Sequence, residues 1–244
     1  MVYAIIGRRK QGKSTLMRWM GNRVPARLAF DPRRMFHGGQ GARVVTSQAE
    51  LQEACDRLLD QQLAEVVYSP SGNLQDGFDH YAAEVKRWIQ EEPNRPIAFM
   101  VDEANKDFLD TDTDAFQWAM RCCTWEIHQI MLTTHRPVDL TTKVRALVDH
   151  WCLFAIRQEH DLSVIKERCS AEVVSIVQVL AAREFVHWDD TAGSFQVKRD
   201  SSSWRCEIGS PAQIELPGDD GMAGLSQLPG TGAAPVATTG KLWG

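Results

Sequence analysis

Residues 7–14 read Gly-Arg-Arg-Lys-Gln-Gly-Lys-Ser, which matches the phosphate-loop pattern G-x-x-x-x-G-K-S/T. A short apolar run of strand type, residues 3–6, precedes the motif, and a segment of helical period, residues 13–22, follows it. A strand, loop and helix in this order form the setting in which the motif binds a nucleoside triphosphate. The sequence therefore predicts an α/β fold with a nucleotide site at the end of the first strand.

The chemistry of phosphate binding gives a role to each position of this motif. Glycines let the backbone wrap a triphosphate closely enough for successive N–H groups to point inward. Lys13 adds a positive charge beside the β and γ phosphates, and Ser14 offers a hydroxyl to Mg²⁺. ATP and Mg²⁺ are therefore the predicted cofactors, and the predicted binding residues are Gly7, Arg8, Arg9, Lys10, Gln11, Gly12, Lys13, Ser14 and Thr15.

Strand-like and helix-like segments alternate along the chain. Apolar runs of strand type lie at 3–6, 27–30, 43–46, 65–68, 97–101, 129–133 and 151–156. Segments of helical period lie at 13–22, 48–62, 74–91, 114–124, 160–169 and 171–183. This alternation is typical of a doubly wound α/β fold with a mostly parallel central sheet flanked by helices. Residues 185–188 and 195–197 predict a terminal β-hairpin.

The composition changes near the end of the chain. Residues 209–244 contain eight glycines and four prolines with few large apolar residues, a composition that does not favour a packed core. We therefore expect a P-loop ATPase domain over residues 1–200 and a mostly disordered Gly/Pro-rich tail over residues 201–244.

Two carboxylates follow the apolar run 97–101. Asp102 and Glu103 come directly after this predicted strand. In a parallel sheet this position lies at the carboxyl edge, beside the phosphate loop. We expect Asp102 to hold Mg²⁺ through water, and Glu103 to orient or deprotonate the attacking water. Together with the phosphate loop, the pair indicates a hydrolase rather than a protein that only binds nucleotide.

The next predicted strand also ends in polar residues, at Thr133, Thr134 and His135. Polar groups at this edge of the sheet are placed to sense the γ phosphate. We expect His135 to hydrogen-bond a phosphate oxygen or the attacking water. The alternative is a surface histidine in a turn before Pro137.

Charge and apolar patterning exclude several classes of protein. The chain carries 27 Lys and Arg against 32 Asp and Glu, which excludes a globally basic DNA-coating protein. Residues 1–43 nevertheless hold ten of these cations and only one of the acids, which predicts an anion-binding N-terminal region. No apolar run approaches the roughly 18 residues of a transmembrane segment, and no signal peptide is evident. We expect a protein that is not secreted, with its six cysteines reduced.

The phosphate loop, the acidic pair and the polar strand end, in this order, resemble the motifs of the FtsK/HerA superfamily of ring-forming, DNA-pumping ATPases. Within that superfamily the chain looks most like the compact genome-packaging ATPases of tailless, membrane-containing viruses. The resemblance covers about residues 1–199. The third motif of the superfamily usually reads Thr-Gln-Arg-Pro, whereas residues 134–137 here read Thr-His-Arg-Pro, so His135 stands in place of the glutamine.

This resemblance implies a RecA-like P-loop fold and a homo-oligomeric ring, usually a hexamer. In such rings a neighbouring subunit supplies an arginine that compensates charge on the γ phosphate. Arg121 and Arg145, which flank the predicted strand 129–133, are the candidates. The resemblance also implies double-stranded DNA as a partner, a capsid vertex or internal membrane protein as a further one, and a location in the host cytoplasm or the virion.

A pump that must grip any DNA sequence contacts the backbone through charge rather than through base edges. Residues 33–41 read Arg-Arg-Met-Phe-His-Gly-Gly-Gln-Gly, a loop with two cations, an aromatic residue and three glycines. Arg33, Arg34 and His37 are therefore the DNA-contact candidates; an ordinary glycine-rich turn is the alternative.

These features favour an ATP-driven translocase of double-stranded DNA that packages a viral genome into a preformed capsid. One alternative is a P-loop kinase acting on a small molecule or nucleotide. Such a kinase would use Lys13, Ser14 and Asp102 but leave Glu103 and the Thr-His-Arg-Pro strand end without a role. A second alternative is an assembly ATPase of the filamentous-phage type, an interaction protein at a membrane. Relatives of that type generally carry a transmembrane segment.

Overall fold

Nine strands form one sheet within the part of the chain that the computed structural model describes, residues 1–35, 39, 41–105, 114–123 and 127–199. The strands are β1 (Val2–Ile6), β2 (Ala26–Phe30), β3 (Arg43–Val45), β4 (Glu65–Tyr68), β5 (Ile97–Val101), β6 (His128–Thr134), β7 (His150–Leu153), β8 (Phe185–Asp189) and β9 (Ser194–Lys198). Their order across the sheet is β3-β4-β2-β5-β6-β1-β7-β8-β9. The predicted tail, 201–244, lies outside the described residues.

Helices cover both faces of this sheet. They are α1 (Lys13–Gly21), α2 (Gln48–Leu59), α3 (Leu74–Glu91), α4 (Asp114–Cys122), α5 (Thr142–Arg145), α6 (Glu159–Arg168) and α7 (Ala171–Val179), together with a 3₁₀ turn at Pro137–Asp139. Helix α1 packs Leu16, Met17 and Met20 against one face, and helices α2 to α7 pack against the other. Because both faces are covered, β5 is apolar and buried at every position.

Strand pairing brings three strand ends to one edge of the sheet. Strands β1 to β7 are parallel, and β6 lies between β1 and β5, with Ile6 opposite Thr134 and Val101 opposite Leu132. The carboxyl end of β6 therefore lies between the loop after β1 and the acidic pair after β5. Strands β8 and β9 add an antiparallel hairpin beside β7. The predicted fold class, a mostly parallel sheet with flanking helices and a terminal hairpin, is confirmed.

Two predicted helices end earlier than the apolar pattern indicated. The helix predicted at 48–62 ends at Leu59, because the chain reaches a left-handed conformation at Gln61, with φ 60°. The helix predicted at 171–183 ends at Val179, and the next residue is extended. The start of α2 carries a capping box, in which the hydroxyl of Ser47 accepts the backbone N–H of Glu50.

The region around β7 contains the other differences. The predicted strand 151–156 leaves the ladder after Leu153, where the chain turns towards the phosphate loop and the carbonyl of Ala155 accepts a hydrogen bond from Gln11. The 3₁₀ turn and the single-turn helix α5 between β6 and β7 were not predicted, because elements this short carry no helical period. None of the helices in the described ranges has the length and apolar character that a membrane span requires.

Protonation of a buried histidine is expected to weaken the fold below neutral pH. Burial and the neighbouring His150 together lower the pKa of His187 to about 4 from its ordinary value near 6.5, while the charge of Asp189 opposes the shift. The unfolded chain binds this proton at a higher pH than the folded protein. The contribution of His187 to the free energy of unfolding is therefore fully present above pH 6.5 and is lost as the pH falls towards 4, by up to about 3 kcal/mol.

Chemical denaturation at a series of pH values measures this loss. His187→Leu removes the titrating group and should flatten the curve between pH 6.5 and 4, whereas the exposed control His160→Leu should keep the wild-type slope. An unchanged slope in His187→Leu would contradict the assignment.

Candidate active site

The phosphate loop runs from Gly7 to Gly12, between β1 and the first residue of α1. Gly12 has φ 107°, in the left-handed region that favours glycine. Gly7 packs so closely against the end of β7 that an added Cβ would lie 2.6 Å from the Cβ of Phe154. The fold therefore requires both glycines of the motif for geometric reasons, independently of any ligand.

The side chains within the loop differ in what they contact. Gln11 holds the loop in shape: its Oε1 accepts the backbone N–H of Arg8 at 2.6 Å, and its Nε2 donates to the carbonyl of Ala155 at 3.2 Å. The side chain of Gln11 is thus engaged within the protein, which leaves its backbone N–H for a phosphate. Arg9 and Lys10 are exposed beside it.

Lys13 is the buried cation of the site. Its side chain belongs to a residue that is only 7% exposed, and its Nζ donates to the carbonyl of Arg8 at 3.2 Å and lies 3.3 Å from Nδ1 of His135. Burial lowers the pKa of Lys13, and the charges of Asp102 and Glu103 oppose that shift. A desolvated ammonium at this position is well placed to be stabilised by the charge of a triphosphate.

Two hydroxyl groups donate hydrogen bonds to the carboxylate of Asp102 beside the phosphate loop. The Oγ of Ser14 donates to Oδ1 of Asp102 at 3.1 Å, and the Oγ1 of Thr133 donates to the same oxygen at 2.6 Å. Asp102 is buried, and its oxygens and the Ser14 hydroxyl are the hard ligands that Mg²⁺ prefers. The chemistry of these donors fits the predicted metal, and Ser14 and Asp102 are the residues that would hold it.

Glu103 points into the same cluster from an unusual backbone. Its φ is 54°, a left-handed conformation that is uncommon for a residue with a side chain. The backbone N–H of Glu103 donates to Oγ1 of Thr133 at 2.9 Å. Its Oε1 lies 3.2 Å from Nε2 of His135, and its Oε2 forms an ion pair with Nε of Arg33. Both carboxylate oxygens of Glu103 are therefore engaged.

Thr133 was expected only as one of three polar residues at the end of its strand, and its contacts with the acidic pair were not predicted. It is fully buried near the end of β6, where it supports both members of the acidic pair: it donates to Asp102 and accepts from the backbone of Glu103. The available signal was a polar residue closing an otherwise apolar run. That signal does not specify which carboxylate the hydroxyl meets, because the contact joins residues about 30 positions apart.

A second unpredicted contact shapes the mouth of the site. Nε of Arg136 donates to both carboxylate oxygens of the buried Asp161, at 3.2 and 3.0 Å, which fixes the turn after β6 against the start of α6. A cavity of about 240 Å³ opens beside the phosphate loop, bounded by Arg8 and Arg9, by His135 and Arg136, and by residues 156–158 with Asp161.

The two arginines predicted to act on a neighbour's nucleotide lie away from this cluster. Arg121 is exposed on α4 and borders a cavity with Asp149. The carboxylate of Asp149 accepts the N–H of Val2, the first residue of β1, so this cavity lies at the edge of the sheet opposite the phosphate loop. Arg145 ends the short helix α5, and its Nη2 donates to Oγ1 of Thr142 at 3.0 Å. A role for either residue towards a second subunit stays a prediction.

The DNA-contact candidates begin at the turn after β2. The carboxylate of the buried Asp31 accepts the N–H of Met35 at 3.1 Å and thereby fixes the turn that carries Arg33 and Arg34. Arg33 and Arg34 are both exposed, and the side chain of Arg33 also reaches Glu103. His37 lies outside the described residues. The exposed Thr15 lies in the first turn of α1.

Comparison with known proteins gives matches among solved structures. No protein-family model matches the chain, and no curated protein sequence matches it. The genome packaging NTPase B204 from Sulfolobus turreted icosahedral virus 2, solved in complex with ATP-gammaS, matches with a TM-score of 0.64 and 20% identity, over 80% of this chain and 95% of B204. VirB4 of Thermoanaerobacter pseudethanolicus matches with a TM-score of 0.50 and 12% identity, over 81% of this chain and 88% of VirB4.

At these identities the matches are evidence of a shared fold. The match to B204 extends over nearly all of that protein, so this chain shares the fold of B204 over that length. The neighbours also agree with the resemblance based on the three motifs. The resemblance to FtsK/HerA-type packaging ATPases is therefore confirmed at the level of the fold.

Proposed function

We propose that the chain is an ATP-driven translocase of double-stranded DNA that packages a viral genome into a preformed capsid. The observation that carries this proposal is the cluster in which the ammonium of Lys13, the carboxylates of Asp102 and Glu103, and the imidazole of His135 converge beside the phosphate loop. The shared fold with B204, a genome packaging NTPase, supports the choice of DNA as the moved partner.

ATP binding would use the loop and the amino end of α1. The backbone N–H groups from Gly7 to Ser14 and the positive end of α1 attract the phosphates, and Lys13 adds a full charge beside the γ phosphate. Ser14 and Asp102 would hold Mg²⁺, which supplies charge compensation to the phosphates when bound. Asp102 is kept in place by hydrogen bonds from Ser14 and Thr133.

Hydrolysis would use Glu103 as the general base. Its carboxylate takes a proton from the water that attacks the γ phosphorus, while ADP leaves with the β-phosphate oxygen. His135, which contacts both Lys13 and Glu103, is placed to hydrogen-bond the transferred phosphoryl group. In the proposed ring, Arg121 or Arg145 of a neighbouring copy supplies the remaining positive charge.

The hydroxyl of Thr133 should matter more for turnover than for nucleotide affinity. Thr133→Val removes a hydrogen bond to the buried Asp102 and the acceptor for the backbone of Glu103, so we expect the ATP turnover rate to fall about tenfold or more with little change in KM. Thr133→Ser keeps the hydroxyl and should retain most of the rate. Equal turnover of the valine and serine variants would show that the hydroxyl does not position the carboxylates.

DNA would contact the basic N-terminal region of each subunit. Arg33, Arg34 and His37 are the proposed backbone contacts, in a homo-oligomeric ring that is a hexamer by analogy with the superfamily. The proposed setting is the host cytoplasm or the virion, where the ring meets a capsid vertex or an internal membrane protein.

Displacement of a third strand from duplex DNA tests translocation directly. The full chain is mixed with a duplex that carries a bound triplex-forming oligonucleotide, and release of that oligonucleotide is followed with ATP or with a non-hydrolysable analogue. Release of the oligonucleotide with ATP but not with the analogue supports the proposal. ATP hydrolysis without release, combined with transfer of the γ phosphate to a nucleoside or metabolite, would favour the kinase alternative.

A further inference from the structure

The β2–β3 connection, residues 31–42, carries the proposed DNA contacts Arg33 and Arg34. Strands β2, β4 and β3 are parallel, so this connection returns the chain from the carboxyl edge of the sheet to its amino edge. Its first residue, Asp31, is fixed at the carboxyl edge, where its N–H donates to the carbonyl of Tyr68 at 2.8 Å. Its other end is bound at the amino edge by a buried carboxylate.

That carboxylate belongs to Glu65, the first residue of β4. Glu65 is only 2% exposed, and the three residues that follow it in β4 are apolar or aromatic. Its Oε2 accepts the backbone N–H of Gly39 at 3.0 Å. The carbonyl of Gly39 in turn accepts the N–H of Ala42 at 3.0 Å, and Ala42 packs against the apolar cluster under α1. The end of the β2–β3 connection is therefore bound to the sheet through the side chain of Glu65.

Arg27 balances the charge of Glu65 and fixes its position. The two residues are directly paired in the register of β2 and β4. Side chains alternate between the faces of a strand, and Ala29 and Val67 belong to the cluster under α1. Arg27 and Glu65 therefore project from that same face. Nε of Arg27 lies 3.4 Å from Oε2 of Glu65, and its Nη1 donates to the carbonyl of Val24, just after α1, at 3.0 Å.

The burial of Glu65 is not explained by stability or by hydrolysis. A buried carboxylate loses its hydration, and its ion pair with an arginine is often no more stabilising than apolar residues of similar size. Glu65 also begins β4 at the amino edge, whereas the catalytic carboxylates follow β5 at the carboxyl edge. An apolar residue at position 65 would lack one thing that Glu65 supplies, an acceptor for the N–H of Gly39.

We propose that Glu65 is a positioning residue for DNA binding, which presents Arg33 and Arg34 to the DNA backbone in one conformation. A loop that is already held in its bound conformation loses less conformational entropy on binding, so it binds more tightly. The anchor acts on DNA affinity and leaves the chemistry at the phosphate loop unchanged. The inference rests on the proposed function, because it requires DNA as the partner of these two arginines.

The concentration of duplex DNA that half-saturates the ATP turnover of the full chain tests this anchor. Glu65→Ala removes the acceptor and should raise that concentration about tenfold, while DNA-free turnover and the KM for ATP stay as in the wild type. Glu65→Gln keeps an oxygen within reach of Gly39 and should recover most of the affinity. Amide hydrogen exchange of a peptide that contains Gly39 should be faster in Glu65→Ala than in the wild type.

A double-mutant cycle shows whether Glu65 acts through the arginines of the β2–β3 connection. If it does, Arg34→Ala should weaken DNA binding less in the Glu65→Ala background than in the wild type, because the arginine is no longer presented to DNA in one conformation. Effects of the two changes that multiply in full would refute the assignment.

Gly39→Ala keeps both charges of the ion pair and decides the question if Glu65→Ala does not fold. A Cβ at Gly39 would lie 3.0 Å from Oε2 of Glu65, so the backbone must move away from the carboxylate. We expect the half-saturating DNA concentration to rise about threefold. The control is Gly72→Ala, whose Cβ would meet none of the described residues within 4 Å apart from its chain neighbours.

Two results would refute the anchor. One is wild-type half-saturation in folded Glu65→Ala and in Gly39→Ala. The other is a DNA-free turnover that falls as much as the DNA affinity does, since this would place the effect of Glu65 in the fold as a whole. A wild-type chain that neither binds duplex DNA nor responds to it in turnover overturns the proposed function itself, and the inference with it.

Discussion

Lys13→Ala is expected to lower ATP turnover by about a hundredfold or more and to weaken ATP binding. The ammonium of Lys13 is largely buried, and alanine leaves the charge of the phosphates facing Asp102 and Glu103 without compensation. Equilibrium binding of a fluorescent ATP analogue and steady-state hydrolysis measure the two effects separately.

A matched lysine serves as the control for this variant. Lys166 lies exposed on α6, and Lys166→Ala should bind and hydrolyse ATP like the wild type. Because Lys13 is desolvated in the free protein, its removal is not expected to unfold the domain, and the melting temperature of the variant checks this. Wild-type turnover in Lys13→Ala would show that the phosphate loop is not the hydrolytic site.

Glu103→Gln is expected to separate ATP binding from ATP hydrolysis. The amide matches the carboxylate in size and tolerates the same backbone, but it cannot take a proton from the attacking water. We therefore expect turnover to fall by about 10² to 10⁴-fold, with ATP affinity close to that of the wild type. Single-turnover hydrolysis and binding of ATP in the same buffer measure both quantities.

The control for this change is Glu53→Gln, which neutralises an exposed carboxylate on α2 and should not affect either quantity. Turnover of Glu103→Gln within a factor of about three of the wild type would assign the base to another group and leave the position of Glu103 at the strand end without a catalytic explanation.

Much of this fold can be predicted from the sequence, because a strand that is buried on both faces, such as β5, leaves a continuous apolar run. Strand β5 is apolar at every position, with Pro96 directly before it and Asp102 directly after it, so both of its ends can be predicted from the sequence. The phosphate loop is specified by Gly7 and Gly12, whose roles in close packing and in a left-handed turn are local requirements. The short helix α5 and the 3₁₀ turn before it have no such signal.

The contacts that organise the site were less predictable than the residues that form it. The predictions named Lys13 and Glu103 from motif spacing alone, but the bond from Thr133 to Asp102 depends on β6 lying between β1 and β5. The ion pair of Arg33 with Glu103 likewise depends on the register between β2 and β5. Such contacts depend on strand order, which the periodicity of a single sequence does not specify.

The central claim is that this site hydrolyses ATP in order to move duplex DNA, and the dependence of ATP turnover on DNA tests it most directly. Steady-state hydrolysis by the purified full chain is measured over a range of duplex concentrations, with the oligomeric state determined in the same samples. The account predicts that duplex DNA increases turnover and that Lys13→Ala abolishes both the basal and the stimulated rate. Turnover that is indifferent to DNA in every oligomeric state would contradict it.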